Sequence, residues 1–174
     1  MKKYNTKRLV NISLFAAICF IGTWIHFPIN IGGGTSMIHL GTTAIFLAAI
    51  FLGEDAAWAG AIGCALFDAT NPQFAAWVIP TFILKGLTGY VAGKIAYLNN
   101  SKGKNFKFNI LAFIVAGLVS LLGYFIVNWF VFVGFYGALL KMTTSIITTT
   151  IAIIISIPLV SIKPIVNKAI GNNR

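Results

Sequence analysis

The chain alternates long apolar stretches with short polar breaks. A helix needs about 20 apolar residues to cross the hydrocarbon core of a bilayer, and fewer where the bilayer is locally thin. Six stretches meet this requirement, near residues 9–25, 37–52, 56–70, 74–98, 108–132 and 140–162. The pattern therefore predicts an all-α integral membrane bundle of six transmembrane helices, built as a single domain over residues 1–174.

The breaks between these stretches are rich in Gly, Pro and polar residues. Asn71-Pro72 ends the third span, because proline disfavours helix at the residue before it. Pro80 lies inside the fourth span and predicts a kink there. The other breaks are a Pro/Gly-containing loop at 26–36, a tight turn at Gly53-Glu54-Asp55, a basic loop at 99–107 and a glycine-containing turn at 133–139.

Charge fixes an orientation. The chain is 58% hydrophobic and 9% charged, whereas soluble domains carry roughly 25% charged residues. Cytoplasmic loops are enriched in Lys and Arg, and eleven of the thirteen basic residues fall at positions on one predicted side. Both termini are therefore predicted to be cytoplasmic. These residues are Lys2, Lys3, Lys7, Arg8, Lys94, Lys102, Lys104, Lys107, Lys163, Lys168 and Arg174.

The net charge of +10 raises the possibility of a nucleic acid partner. The basic residues lie at segment ends and not along a face of a polar domain, so anionic lipid headgroups explain the charge better. Cys19 and Cys64 lie inside apolar segments and are interpreted as small buried hydrophobes. No nucleic acid partner is predicted.

Several enzyme and energy-coupling motifs do not occur in the sequence. Gly32-Gly33-Gly34 lacks the lysine of a phosphate-binding loop, and neither H-E-x-x-H nor a paired-Cys metal motif occurs. The acids are limited to Glu54, Asp55 and Asp68, which disfavours a two-carboxylate enzyme. The sequence predicts no cofactor, no metal and no catalytic residue. It also shows no energy source of its own, although a stand-alone ion-coupled transporter remains an alternative.

Lys85 and Lys141 stand outside the basic clusters. Lys85 lies in the middle of the fourth span and Asp68 near the outer end of the third. A charge at mid-bilayer costs several kcal/mol unless it is paired or hydrated, so each is a candidate ligand contact. At about 1.5 Å per residue, Lys85 lies roughly 12 Å deeper than Asp68, a gap that water or a polar ligand could bridge. Alternatively, Lys85 is structural and bonds helix carbonyls.

Other polar and aromatic residues lie near the depth of Asp68, toward the outer side of the predicted spans. Polar groups and aromatic rings at one depth predict a pocket for a small flat polar ring. The alternatives are a helix cap for the histidine, bonds to the local backbone for the hydroxyls and an interfacial belt for the aromatics. The candidates are His39, Thr43, Trp77, Asn128, Tyr136, Ser145 and Thr148.

Small residues recur at helical spacing, as in Ser13-x-x-x-Ala17 and Gly89-x-x-x-Gly93. Lipid tails give helices no hydrophobic reason to associate, so close contact through small residues must hold them together. Each motif indicates either packing inside the bundle or a docking face for a separate membrane subunit.

The arrangement resembles the substrate-binding S components of energy-coupling factor (ECF) vitamin transporters, in the branch for riboflavin, hydroxymethylpyrimidine and pyridoxine-type substrates. The likeness covers nearly the whole chain. Its motifs are Gly33-Gly34, His39-Leu40-Gly41-Thr42-Thr43, Phe46-Leu47-Ala48-Ala49, Gly60-Ala61-Ile62-Gly63, Ala65-Leu66-Phe67-Asp68, Leu84-Lys85-Gly86-Leu87-Thr88-Gly89 and Ala92-Gly93.

The chain departs from this family's usual pattern in the expected pocket, so the resemblance leaves the vitamin open. Thr42 stands where members commonly have Asp or Asn, and Asn128 stands where they often have an acid. Thr144, Ser145 and Thr148 stand where a Gly-Asn…Gln pattern is common.

The resemblance implies a function for the whole chain. S components bind a vitamin at the outer side, under the loop between spans one and two. They dock on a transmembrane T subunit through the small-residue face of span one, here Ser13 and Ala17, and two ATPase subunits drive uptake. The expected substrate is a pyridoxine-type ring, with hydroxymethylpyrimidine next and riboflavin as an alternative.

Overall fold

The computed structural model describes residues 6–160 and Lys163. It is a bundle of six α-helices with one β-hairpin. Lys2, Lys3, Lys168, Arg174 and the predicted end of the sixth span at 161–162 lie outside the described residues. The helices are α1 (Thr6–Trp24), α2 (Gly41–Leu52), α3 (Ala56–Thr70), α4 (Val78–Ala96), α5 (Phe106–Val127) and α6 (Gly134–Val160), and the strands are β1 (His26–Ile31) and β2 (Gly34–His39).

The helices have the length and apolar character that a membrane bundle requires. Within the part of the chain that the structure describes, four helical segments are long and apolar enough to cross a membrane. They are fewer than six because α2 runs into α3 and α5 runs into α6 with little non-helical chain between them. The segments are Thr6–Trp24, Gly41–Thr70, Ala75–Ala96 and Phe106–Val160.

The segment predicted as a Pro/Gly loop is an antiparallel hairpin. His26 faces His39 at one end of the ladder, and Ile31 faces Gly34 at the other. The two residues that connect the strands, Gly32 and Gly33, have φ of 63° and 78°. A two-residue turn of this kind needs positive φ at both positions, which glycine adopts without steric cost. Residues 37–39, predicted as the start of the second span, therefore belong to β2.

The predicted turn at 133–139 was wrong in its extent. A π-helical stretch, Asn128–Val133, continues α5, and α6 already begins at Gly134 rather than at Leu140. Gly134 alone breaks the path, with φ of 70°. Pro80 falls in the first turn of α4. Proline is tolerated there because the first backbone N–H groups have no intrahelical acceptor, so it does not act as a kink inside the helix.

Glycines let the helices approach closely. A Cβ on Gly89 or Gly93 would collide with the backbone of Ala56 or Gly53, and one on Gly63 would collide with the Ala16 carbonyl. The Gly89-x-x-x-Gly93 motif thus packs α4 against the start of α3, inside the bundle. Ser13 and Ala17, in contrast, are exposed on α1.

Side-chain contacts show which segments meet at each end of the bundle. Arg8 bonds Asp55 in the α2–α3 turn, with N–O distances of 2.5 Å, and Tyr97 and Lys163 both bond the Ile50 carbonyl. This end therefore carries the start of α1, the α4–α5 loop and Lys163. The hairpin lies at the opposite end, because α1 is about 28 Å long at 1.5 Å per residue and the hairpin follows its last residue.

Candidate functional site

A cavity lies beneath the hairpin, between β2 and the helices. The atom-free space beneath the hairpin is about 720 Å³, a volume that includes the part open to solvent. Its wall mixes hydroxyls, two lysines, one acid and aromatic rings. The lining residues are Thr23, Thr35, Ser36, Met37, His39, Thr42, Cys64, Asp68, Phe74, Trp77, Thr81, Lys85, Ser120, Leu121, Tyr124, Asn128, Lys141, Ser145, Thr148 and Thr149.

Lys85 lies on one wall of the cavity and is 4% exposed. Its ammonium donates to the Thr42 hydroxyl at 2.8 Å and lies 5.1 Å from the centroid of the Tyr124 ring. The Tyr124 hydroxyl in turn bonds Thr81 at 3.3 Å. Among the described residues, the hydrogen-bond partner of Lys85 is therefore a side-chain hydroxyl, and an aromatic face lies beside it.

Asp68 reaches the same cavity from α3. Among the described residues, the ion pair within 4.0 Å joins Arg8 to Asp55, so the Asp68 carboxylate and the Lys85 ammonium lie farther apart than a salt bridge. Asp68 is 1% exposed, and its Oδ1 has no hydrogen-bond partner among the described residues.

The facing wall comes from α6 and the hairpin. The Lys141 ammonium donates to the Thr35 carbonyl at 3.3 Å, and the hydroxyls of Ser36 and Thr144 are 2.6 Å apart. Thr148 donates to the Thr144 carbonyl at 2.9 Å, with the Met37 carbonyl at 3.4 Å. The hydroxyls of Thr144 and Thr148 therefore hold β2 against α6, and Thr148 also forms part of the cavity wall.

His39 ends β2 and borders the cavity. Its Nδ1 accepts a hydrogen bond of 3.0 Å from the Gly41 amide, at the start of α2. Burial lowers the pKa of His39 well below its ordinary value, and the charges of Lys85 and His26 act in the same direction. The ring is therefore neutral at neutral pH, and its Nε2 carries the proton.

The predicted aromatic residues have different positions. Trp77 lines the cavity, where its ring stacks on Phe132 with centroids 4.3 Å apart and on Tyr124 at 5.6 Å. Tyr136 is 82% exposed and lies on the first turn of α6, away from the cavity. Its position does not fit the predicted stacking role, because the early start of α6 turns it outward.

Of the remaining residues predicted to bind the ligand, three line the cavity and one does not. Ser145, Thr148 and Asn128 line the cavity. Thr43 is buried on α2 outside the cavity wall, and its hydroxyl has no partner among the described residues. Cys19 and Cys64 are free buried thiols, as predicted from their apolar surroundings.

Sequence reasoning missed three groups of the wall. Tyr124 lies one turn before Asn128 on α5, and that spacing could have identified it. Lys141 stood apart from the basic clusters but was not assigned to the pocket. Thr35 and Ser36 required the hairpin, for which the two-residue glycine turn after Phe27, Ile29 and Ile31 was the available signal.

Comparison with known proteins identifies the family. The family model described as ECF-type riboflavin transporter, S component, matches residues 3–165, nearly the whole chain. A search of curated proteins gave no match. S components are membrane-integral, vitamin-binding subunits of transporters, not enzymes, and they work with T and ATPase subunits. The chain belongs to the ECF-type riboflavin transporter S component family and is a multi-pass membrane subunit of a vitamin transporter.

Proposed function

We propose that this chain captures a small vitamin or vitamin precursor at the extracellular side for ATP-driven uptake. A pyridoxine-type ring is the favoured substrate and hydroxymethylpyrimidine the next, since both rings carry hydroxymethyl groups that match the many hydroxyls of the cavity wall. Riboflavin, which names the matched family, is the alternative, together with other vitamins.

The observation that carries the proposal is a lysine and an aspartate buried in one cavity without pairing to each other. Buried charges in a membrane protein are costly unless a partner or water satisfies them. A polar ligand between Lys85 and Asp68 would supply that partner to both. This arrangement supports a binding site more than a structural ion pair.

The cavity suggests a role for each predicted residue. Lys85, Asp68 and Asn128 would bond polar substituents of the ring from one side, and Ser145, Thr148 and His39 would bond them from the other. Trp77, with Tyr124 and Phe132 stacked on it, would provide an aromatic wall. Thr43 would act only indirectly, by supporting the start of α2.

The same proposal orients the chain in the membrane. We infer six crossings with both termini in the cytoplasm. The described basic residues outside the cavity gather at the end that carries the Arg8–Asp55 pair, which supports a cytoplasmic position for that end. The hairpin and the cavity would then face the outside.

Partners follow from the family and from one exposed surface. Ser13 and Ala17 are exposed on α1, which leaves this small-residue face available for a transmembrane T subunit. Two separate ATPase subunits would hydrolyse ATP. Lipid tails would cover the rest of the exposed apolar surface.

Binding to the purified full chain tests the proposal. Titration calorimetry with pyridoxine, pyridoxamine, hydroxymethylpyrimidine and riboflavin is expected to detect one tight ligand. If none of the four binds, the assignment is wrong. In vesicles, uptake of that ligand should require added T and ATPase subunits and ATP. Uptake driven by an ion gradient with this chain alone would instead indicate a secondary transporter.

A further inference from the structure

Two oxygen atoms of the cavity wall lack hydrogen-bond partners among the described residues. They are Oδ1 of Asp68 and Oδ1 of Asn128, on residues that are 1% and 5% exposed. More than nine in ten buried polar groups in proteins are paired. Both residues line the cavity, although the two atoms are themselves enclosed, so a rotation of each side chain would turn its oxygen toward an occupant that can donate to it.

Both atoms are hydrogen-bond acceptors. The Asn128 amide nitrogen donates to the Tyr124 carbonyl at 2.9 Å. Exchanging the amide nitrogen and oxygen would bring two oxygen atoms together, so Oδ1 is the atom left without a partner. An ionised Asp68 carboxylate can only accept hydrogen bonds. The cavity therefore presents two acceptors that need N–H or O–H donors from its occupant.

Donors stand on other parts of the wall. Each ammonium group carries three N–H donors. Lys85 uses one on Thr42, and Lys141 uses one on the Thr35 carbonyl. An occupant that offers only acceptors would satisfy the lysines and leave Asp68 and Asn128 unpaired. An occupant with both kinds of group would satisfy the whole wall.

We propose that Asp68, with Asn128 as a second acceptor, selects ligands that present a ring N–H or an amino N–H donor. The inference rests on the proposed function and deepens it. It makes Asp68 a specificity-determining residue, and it favours nitrogen heterocycles that combine such a donor with acceptor oxygen or nitrogen atoms for the lysines over ligands whose donors are all hydroxyls.

Matched ligand pairs test the inference on the wild-type chain, so that no variant needs to fold. In each pair, methyl substitution removes the N–H donor and leaves the rest of the ligand unchanged. The pairs are riboflavin and riboflavin methylated at N3, pyridoxine and pyridoxine methylated at its ring nitrogen, and hydroxymethylpyrimidine and its dimethylamino analogue. For the parent that binds, the methylated partner should bind about tenfold more weakly or worse, the least expected for a lost hydrogen bond to a charged group.

The added methyl group could also clash with the wall, and Asp68→Asn separates the two causes. A clash would persist in this variant, which has nearly the same shape. A lost hydrogen bond to the carboxylate would not, so the preference for the parent should shrink to a few-fold. Asp55→Asn makes the same chemical change at the opposite end of the bundle and should leave the preference unchanged.

The outcomes separate the two proposals. If no parent binds, the proposed function fails and the inference falls with it. If a parent binds and its methylated partner binds equally well, the proposed function stands and the inference is wrong, because water rather than ligand then satisfies Asp68. An Asp68→Asn variant that keeps the full preference would also overturn the inference.

Discussion

Two buried lysines, one at the basic end of the bundle and one in the cavity wall, have different surroundings. Lys163 is 6% exposed, and its ammonium donates to the carbonyls of Ile50 and Lys102. The rings of Phe51 and Tyr97 lie 5.5 Å and 5.2 Å from it. Lys85 is 4% exposed but bonds one hydroxyl and borders a cavity.

The contrast indicates what each end does. Backbone carbonyls and aromatic faces at the basic end account for the charge of Lys163, so its role is to tie the end of α6 to neighbouring segments. Lys85 has donors to spare and open space beside it. Two lysines that are equally buried therefore have different roles. Lys163 ties neighbouring segments together at the basic end, and Lys85 is available to a ligand in the cavity.

Replacing Lys85 with methionine tests the ligand side of this comparison and should have the largest effect. Methionine keeps the length of the side chain and removes the charged donor. Binding should weaken by about 10- to 100-fold, which corresponds to the roughly 1.5–3 kcal/mol of a hydrogen bond to a charged group. Titration calorimetry with the ligand found for the wild type measures this change.

Lys94→Met is the matched control for that variant. Lys94 lies on the same helix, is exposed and bonds Tyr90 at 3.3 Å outside the cavity. Its replacement should leave the affinity within about twofold of the wild type, since exposed interactions of this kind contribute little. Equal affinities for both variants and the wild type would make Lys85 a structural residue, like Lys163.

The hairpin turn gives the next largest effect. Gly32 and Gly33 both have positive φ, so an alanine at either position is strained by roughly 1–2 kcal/mol. A Cβ on Gly32 would also lie 2.5 Å from the Gly137 carbonyl, whereas one on Gly33 would come no closer than 4.0 Å to Val133. Gly32→Ala should thus push the hairpin off α6.

Affinity for the ligand measures this displacement. Gly32→Ala should bind about tenfold more weakly than Gly33→Ala, because the second variant has the same backbone strain without the collision. Equal losses would show that only the strain matters and that contact between the turn and α6 does not position the cavity wall.

Much of the bundle was predictable, because apolar length and turn chemistry are local properties. Asn71-Pro72 and Gly53 marked real helix ends. The hairpin was missed because its alternation of apolar residues is short and follows a long helix. The early start of α6 was missed because a π-helical stretch carries no turn signal and continues the apolar pattern of α5.

The cavity was harder to predict than the helices. Depth along each span grouped Asp68, Asn128, Ser145 and Thr148, and these four residues line the cavity. Lys85, expected roughly 12 Å deeper than Asp68, lines it too. Depth does not determine which way a helix face points. Rotation depends on tertiary packing, and for that reason Tyr136 points outward while the unassigned Tyr124 points into the cavity.

Replacing Lys163 with methionine tests the structural side of the comparison. The variant loses the donor to the Ile50 and Lys102 carbonyls. At about 1 kcal/mol net for a hydrogen bond, the melting temperature should fall by a few degrees. Ligand affinity should not change. Lys107→Met, at an exposed position of the same end, should change neither quantity. A loss of affinity without loss of stability would contradict a structural role for Lys163.

The melting temperatures of the wild type and of Lys163→Met, measured as a function of pH, test the same role further. Burial, and then the charge of Lys104, lower the pKa of Lys163 to about 8. Above pH 8 the unfolded chain therefore holds more protons than the folded one, so the melting temperature should rise toward pH 9.5. This rise should be smaller in Lys163→Met. An equal rise in both proteins would assign it to other groups.

The smallest expected effect concerns two tyrosines, one at each side of the α5–α6 connection. Tyr124→Phe removes the hydroxyl that bonds Thr81 and leaves the ring beside Lys85 and Trp77 in place. Hydrogen bonds between membrane helices average about 0.6 kcal/mol, so the affinity should fall about threefold. Tyr136→Phe, at the exposed position, should leave the affinity unchanged. If Tyr136→Phe weakens calorimetric binding and Tyr124→Phe does not, the ligand lies near the start of α6 and not in the cavity beneath the hairpin.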